Sequence, residues 1–166
     1  MNNFQRKLQA PNNEASVTQV SLRLERGGLA QIFSLKGGSR TWFALSCLGQ
    51  FLKNHTGDPP LSLWVSDDSE LYPEAIHHYW GIPLSRVLLI KTPSSEDAWK
   101  VSVDAVQTGL FAWVFLKTDR AGEARVLRKL QILSEKTQTK VLLLCQAKLP
   151  HWTLKTSVEV LCEPST

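Results

Sequence analysis

The sequence predicts an α/β domain with three layers, in which a mostly parallel central sheet carries helices on both faces. Apolar runs without polar alternation, typical of strands covered on both sides, occur at residues 61–65, 110–116 and 141–144. Segments with helical spacing of apolar residues separate these runs, and this alternation is the pattern of a parallel sheet. The 166 residues are enough for one such domain with its own core.

The N-terminal region begins with a polar stretch. Residues 1–15 are rich in Asn and Gln and are predicted to form a flexible tail, which leaves 16–166 as a single domain. Residues 17–24 alternate between apolar and polar side chains, which favours a half-exposed strand near an edge. Gly27 and Gly28 then form a turn.

The rest of the chain alternates strand and helix. The predicted strands are residues 29–35, 61–65, 87–90, 110–116 and 141–144, with two weaker ones at 152–154 and 158–161 in a C-terminal extension, 149–166. The strand at 87–90, like that at 61–65, is expected to be buried. The predicted helices are residues 41–53, 72–79, about 94–108 and 121–136. Ser94 or Ser95 is the expected N-cap of the third helix, and Gly81 and Gly109 are expected to end the helices before them.

Composition and charge limit the classes of function that the sequence allows. The net charge of +4 permits contact with nucleic acid or an acidic protein surface without requiring either. No apolar run reaches the roughly 18 residues that span a bilayer, and the N-terminus lacks an apolar signal core, so a cytoplasmic protein is expected. The histidines and the three cysteines lack metal-ligand spacing, so no metal site is predicted, and Cys47 and Cys145 are expected to be buried free thiols.

Residues 32–52 have the layout of a phosphate-binding loop, namely a strand, a glycine turn and a helix. The turn contains Gly37, Gly38, Ser39, Arg40 and Thr41, in which Arg40 would be the cation and Thr41 the magnesium ligand. The spacing does not fit, because placing Arg40 at the lysine position puts the first glycine of the pattern on Ser34, inside the strand. Arginine is also a wide planar fork instead of a compact charge. The turn is therefore interpreted as a degenerate phosphate loop that binds no cofactor.

A magnesium site is also incomplete. Motor-type ATPases end the strand equivalent to 110–116 with a carboxylate, and this strand ends in Lys117. A lysine there opposes magnesium electrostatically. Asp67 and Asp68 follow the strand 61–65 and could activate a water molecule, although turn-forming acids in a solvated loop are the simpler interpretation. Deficits in the loop and in the magnesium site together predict a protein that is not an enzyme.

One helix is a candidate contact surface. In residues 121–136, the basic side chains lie largely away from the apolar ones, and they are Arg125, Arg128, Lys129 and Lys136. Such a face is usually only solvated, yet here it is the best candidate for contact with DNA or an acidic partner. Six tryptophans are a further feature; Trp64 and Trp113 are expected in the core, and others are candidates for a protein interface.

The order of motifs resembles the core of RecA. The matching segments are residues 27–29, similar to the GGLP lead-in of its phosphate loop; 61–73, its second strand with an acidic turn; 80–90; and 96–98 with 108–114, its EQAL helix and following strand. The similarity covers roughly residues 27–145. The departures resemble its short, degenerate bacterial branch, which contains ImuA-like mutagenesis accessory proteins and SulA-like cell-division inhibitors. Arg40-Thr41 and residues 128–136 resemble ImuA-like proteins, and residues 81–84 resemble SulA.

The resemblance implies a protein of the DNA-damage (SOS) response that acts by binding other proteins. The preferred hypothesis is an accessory protein of translesion synthesis that contacts a polymerase or RecA. The alternatives are a SulA-like inhibitor that binds FtsZ, and a residual protein that binds ATP or, weakly, DNA. Carried over by position, Arg40 and Thr41 match the loop, Asp68 is a vestigial catalytic carboxylate, and Lys117 replaces the magnesium aspartate.

Overall fold

The computed structural model describes residues 11–33, 37–68, 71–118, 120, 122–146 and 156–159. The helices are α1 (Pro11–Arg23), α2 (Gly37–Asn54), α3 (Pro73–Trp80), α4 (Ser95–Thr108) and α5 (Ala124–Thr137), with a 3₁₀ turn at Leu84–Arg86. The strands are β1 (Gly28–Phe33), β2 (Leu61–Ser66), β3 (Val87–Lys91), β4 (Phe111–Lys117), β5 (Lys140–Cys145) and β6 (Thr156–Glu159).

The six described strands form one sheet in the order β3-β2-β4-β5-β1-β6. Every pairing between neighbours is parallel. Apolar side chains of α1, α2 and α3 cover one face, and those of α4 and α5 cover the other. The predicted three-layer α/β fold is therefore confirmed.

Helix ends follow the predicted capping chemistry. The Ser94 hydroxyl accepts a hydrogen bond from the backbone N–H of Asp97 at 3.1 Å, so Ser94 is the N-cap of α4. Gly81 and Gly109 end α3 and α4 in the left-handed conformation, with φ of 63° and 69°. Their N–H groups donate to carbonyls of the last helical turn, which satisfies groups that the helix leaves free.

The prediction of a strand at residues 17–24 was wrong, since this segment belongs to α1. Val17, Val20 and Leu24 are buried, and their spacing of three and four residues places them on one helical face against the core. Leu22, which completed the apparent alternation, is 64% exposed. Residues 1–10 of the predicted tail lie outside the described residues, and the domain boundaries stay a prediction.

The strand predicted at residues 87–90 exists, but its predicted burial was wrong. β3 lies at the end of the sheet, next to β2 only, among the described strands. None of its side chains is fully buried, and Leu88 and Leu89 are 49% and 37% exposed. An apolar run was taken as evidence of a covered strand, yet here it forms an open edge.

The helix after β1 begins earlier than predicted. α2 starts at Gly37 instead of Thr41, so Gly37 and Gly38 belong to its first turn and not to a separate glycine turn. Of the two weak C-terminal strands, residues 152–154 lie outside the described part of the chain, whereas β6 partly overlaps the second.

Candidate functional site: the carboxyl edge of the sheet and the basic helix

The residues predicted to form a degenerate nucleotide site lie along one edge of the sheet. Because all strands are parallel, their carboxyl ends share that edge, where α/β proteins bind ligands. Ser66 and Lys117 are register partners on adjacent strands, so Asp68 and Lys117 lie at neighbouring strand ends. The first turn of α2 follows β1, and β5 lies between β1 and β4. The first turn of α2, Asp68 and Lys117 therefore share this edge. β5 separates the first turn of α2 from Lys117.

Arg40, in the first turn of α2, is only 5% exposed. A cation that binds a nucleotide phosphate must reach the phosphate from the protein surface. The protein covers Arg40 instead, and the interpretation of the loop as degenerate stays a prediction. Thr41 next to it is half-buried.

The two carboxylates after β2 differ in their surroundings. Asp68 is exposed, and its local contacts are with Ser66: the Ser66 hydroxyl donates to Oδ1 at 3.3 Å and accepts from the Asp68 N–H at 3.4 Å. This is a local turn of the kind that Ser and Asp form after a strand. Asp67 is the carboxylate that faces the neighbouring elements.

Asp67 belongs to a polar cluster with Ser95 and Thr118. The Ser95 hydroxyl donates to Asp67 Oδ2 at 2.5 Å. The Thr118 hydroxyl lies 2.8 Å from Ser95 Oγ and 3.2 Å from Asp67 Oδ2, and its single proton can serve one of them at a time. The cluster joins the end of β2, the end of β4 and the start of α4. Sequence reasoning missed Ser95 and Thr118 as a site, although hydroxyl residues after a strand and at a helix start were visible.

The chemistry that this cluster offers is limited. Asp67 Oδ2 is occupied by hydroxyl donors, while Oδ1 is buried and makes no hydrogen bond within the described residues. Lys117 contributes a positive charge at the end of the adjacent strand. No group of three or more His, Cys, Asp or Glu side chains that could hold a metal ion exists among the described residues. The arrangement is suited to joining three elements of the fold.

The basic helix is α5, and all four predicted cations are exposed on it: Arg125, Arg128, Lys129 and Lys136. Leu127 and Leu130 of the same helix are buried against the sheet. The first turn of α5 has no acid and contains Arg125, which opposes the helix dipole. Helix stability therefore does not explain Arg125, and its role in a contact surface stays a prediction.

A groove of about 830 Å³ lies between α4 and α5. Trp99, Val103 and Val126 provide its apolar lining, and Lys129 extends along its rim. The Trp99 indole N–H donates to the Arg120 carbonyl at 3.2 Å. A Cβ on Gly122 would lie 2.8 Å from the Trp99 ring, so glycine lets the chain pass close to this tryptophan.

The tryptophans divide as expected. Trp64 and Trp113 are in the core, at 3% and 0% exposure. Trp42 and Trp80 are half-buried and line a second groove of about 820 Å³ between α1, α2 and α3. Trp152 lies outside the described residues. Trp42 and Trp80 therefore keep part of their aromatic surface exposed, where a partner could contact it.

Two cysteines lie in the described part of the chain. Cys47 and Cys145 are buried, as predicted, and they form no disulfide with a described residue. Burial raises the pKa of the Cys47 thiol far above its usual range, which keeps it protonated and unreactive. Within the described part of the chain, none of the helices is both long and apolar enough to cross a membrane.

Comparison with known proteins identifies a structural relative. No protein-family model matches the sequence, and no curated protein matches it. Among solved structures, the crystal structure of SulA from Pseudomonas aeruginosa matches with a TM-score of 0.53 and 18% identity. The match covers 71% of this chain and 98% of the SulA chain. The chain has a SulA-like fold. The resemblance to RecA and to ImuA-like proteins stays a prediction, since no family model and no curated protein supports it.

Proposed function

We propose that this chain is a protein of the bacterial SOS response that inhibits cell division by binding FtsZ, without catalysing a reaction. The observation that carries the proposal is the shared fold with SulA, which extends over 98% of the SulA chain. The comparison favours this alternative over the translesion accessory that the sequence analysis preferred. A cytoplasmic location follows from the proposal, because FtsZ is a cytoplasmic protein.

The carboxyl edge of the sheet supports a binding protein over an ATPase. Arg40 is buried, Asp67 is bonded to hydroxyls, and Lys117 stands where magnesium would need a carboxylate. Phosphoryl-transfer sites work by placing cations and magnesium around the phosphates, and these residues do not provide that arrangement. The expected activity is therefore independent of ATP.

The test is FtsZ assembly in vitro. Light scattering of purified FtsZ with GTP is expected to fall in proportion to added protein and to vanish near equimolar amounts, with or without Mg-ATP. Expression in undamaged cells is expected to produce filaments at normal FtsZ levels. Unchanged FtsZ assembly and cells of normal length would rule out the proposal. An increased mutation frequency after DNA damage, with normal division, would instead support the translesion accessory.

A second prediction concerns the basic face of α5, which is formed by Arg125, Arg128, Lys129 and Lys136. Arg125→Glu, Arg128→Glu and Lys129→Glu together are expected to abolish capture of the partner by tagged protein. The melting temperature is expected to change little, because exposed substitutions cost within about 0.5 kcal/mol each and Glu near the start of a helix is favourable. Arg23→Glu, which reverses an exposed cation at the end of α1, is the control for charge reversal away from α5. Unchanged capture by the triple variant would exclude this face.

A further inference from the structure

The outer side of β3 is an unpaired strand edge. β3 terminates the sheet, and no described strand pairs with it beyond β2. Open strand edges are templates for pairing with another chain unless the protein blocks them. β3 has no proline and no bulge in its pairing with β2. Its one charged residue is Lys91, at its end, and such a charge disfavours pairing with any strand that does not supply the opposite charge.

The backbone groups available at this edge follow from the pairing with β2. The N–H of Thr92 donates to the Ser66 carbonyl at 2.9 Å, so Thr92 faces β2. Backbone groups of successive strand residues point in opposite directions. The N–H and C=O groups of Leu89 and Lys91 therefore point to the open side, together with the C=O of Val87, whose N–H bonds the Leu84 carbonyl.

Exposed apolar side chains concentrate around this edge. Of the large apolar side chains that are exposed in the described residues, three come from β3 and the turn before it: Leu84, Leu88 and Leu89. A pocket of about 270 Å³ next to the strand is lined by residues that include Trp64, Tyr72 and Leu89. Leu88 and Leu89 are successive strand residues, so they lie on opposite faces of the sheet at this edge. A strand added beside β3 would therefore find an exposed leucine on each face.

The charges indicate what kind of segment fits. Arg86 ends the 3₁₀ turn just before β3 and Lys91 is the last residue of β3, so an extended chain between them spans about 16 Å. β3 contains no acid. Neither cation forms an ion pair with a described residue. A second copy paired through β3 would bring only the same two cations. A strand with carboxylates near its ends would neutralise them.

We propose that β3 is a docking edge for an extended segment of a partner protein, apolar in its middle and with carboxylates near both ends. The segment adds to the sheet as a seventh strand beside the six described ones. Main-chain hydrogen bonds to Leu89 and Lys91 hold it, and the exposed leucines on the two faces and the flanking cations select it. The inference rests on the proposed function in naming where a protein partner binds. The test of the docking edge does not use FtsZ, so the docking edge and the proposed function can fail separately.

The test uses a fluorescein-labelled synthetic peptide, Glu-Val-Thr-Val-Thr-Glu, whose carboxylates are five positions apart like Arg86 and Lys91. The control peptide has Lys at both ends. Fluorescence anisotropy with the full chain is expected to show saturable binding of the acidic peptide, at least about tenfold tighter than the control. Arg86→Glu with Lys91→Glu is expected to reverse this preference, so that the variant binds the Lys peptide more tightly.

A backbone variant separates strand pairing from charge attraction. Leu89→Pro removes the outward N–H, and proline is tolerated on an edge strand when its nitrogen faces solvent. We expect it to weaken the acidic peptide about tenfold, whereas Leu89→Ala, which keeps the N–H, weakens it less. Urea midpoints report whether each variant is folded, and the charge-reversal result stands independently of Leu89→Pro.

Three outcomes would overturn the proposal. One is equal affinity for the acidic and Lys peptides. Another is unchanged binding by both the charge-reversed and the Leu89→Pro variants. The third is a wild-type dimer in sedimentation analysis that Leu89→Pro converts to monomer, which would assign the edge to a second copy of this chain.

Discussion

Gly27→Ala is expected to be among the most destabilising small substitutions in this protein. Gly27 has a φ of +84°, a conformation that costs an L-residue about 1–2 kcal/mol. A Cβ there would also lie 2.6 Å from Gln138 Cα and 2.8 Å from its carbonyl carbon, in the chain segment that ends α5. Backbone atoms cannot rotate away, and overpacking costs about 1–3 kcal/mol more. Urea unfolding should show a loss of about 2–5 kcal/mol in the free energy of unfolding.

Gly57→Ala is the matched control for this prediction. Gly57 has a similar φ of +92°, but a Cβ there would meet no atom within 4 Å. The control should therefore lose only the conformational part, about 1–2 kcal/mol. Equal losses in the two variants would show that β1 and the end of α5 can move apart, contrary to the close contact described here.

Trp113→Ala is expected to cost about 3–5 kcal/mol, the range for removing a large buried aromatic side chain. Trp113 is fully buried on β4 and stacks on Phe115 with ring centroids 5.5 Å apart and planes 3° apart. The edge of Phe51 contacts it at 5.9 Å, and Lys140 Nζ lies 5.8 Å from the ring. Alanine would leave a cavity beneath α2 and remove all three contacts. Chemical denaturation measures this loss in the free energy of unfolding, and the m-value is expected to stay unchanged.

Trp113→Phe tests why the tryptophan matters. The Trp113 indole N–H is buried and makes no hydrogen bond to a described residue. Phenylalanine should keep the stacking and lose no hydrogen bond, so we expect a cost of only about 1–2 kcal/mol. If Phe were as costly as Ala, the indole N–H would have to be bonded, for example through an internal water molecule.

Much of the fold could be predicted because its signals are local. Ser94, Gly81 and Gly109 cap helices through contacts with residues three or four positions away, and such chemistry is visible in sequence. The segment 17–24 shows the limit of local patterns. Over eight residues, Val17, Val20 and Leu24 fit a helix as well as a strand, and only packing against α2 and the sheet decides between them.

The candidate site was less accessible to sequence reasoning. Asp68 was selected from a family pattern, whereas the structure brings Asp67 to the shared cluster and leaves Asp68 exposed in a local turn. Asp67 and Thr118 are 51 residues apart in the chain, so only the pairing of β2 with β4 brings them together. Ser95 joins them because α4 begins at the same edge of the sheet.

The sequence by itself determined the type of most elements and the alternation that produces a parallel sheet, because both depend on neighbouring residues. Only the tertiary structure decided which strand lies at the edge and which polar side chains meet. β3 and β4 are both apolar runs in the sequence. Among the described strands, β4 has neighbours on both sides, whereas β3 has only β2. Strand order depends on contacts between distant segments, which local periodicity does not encode.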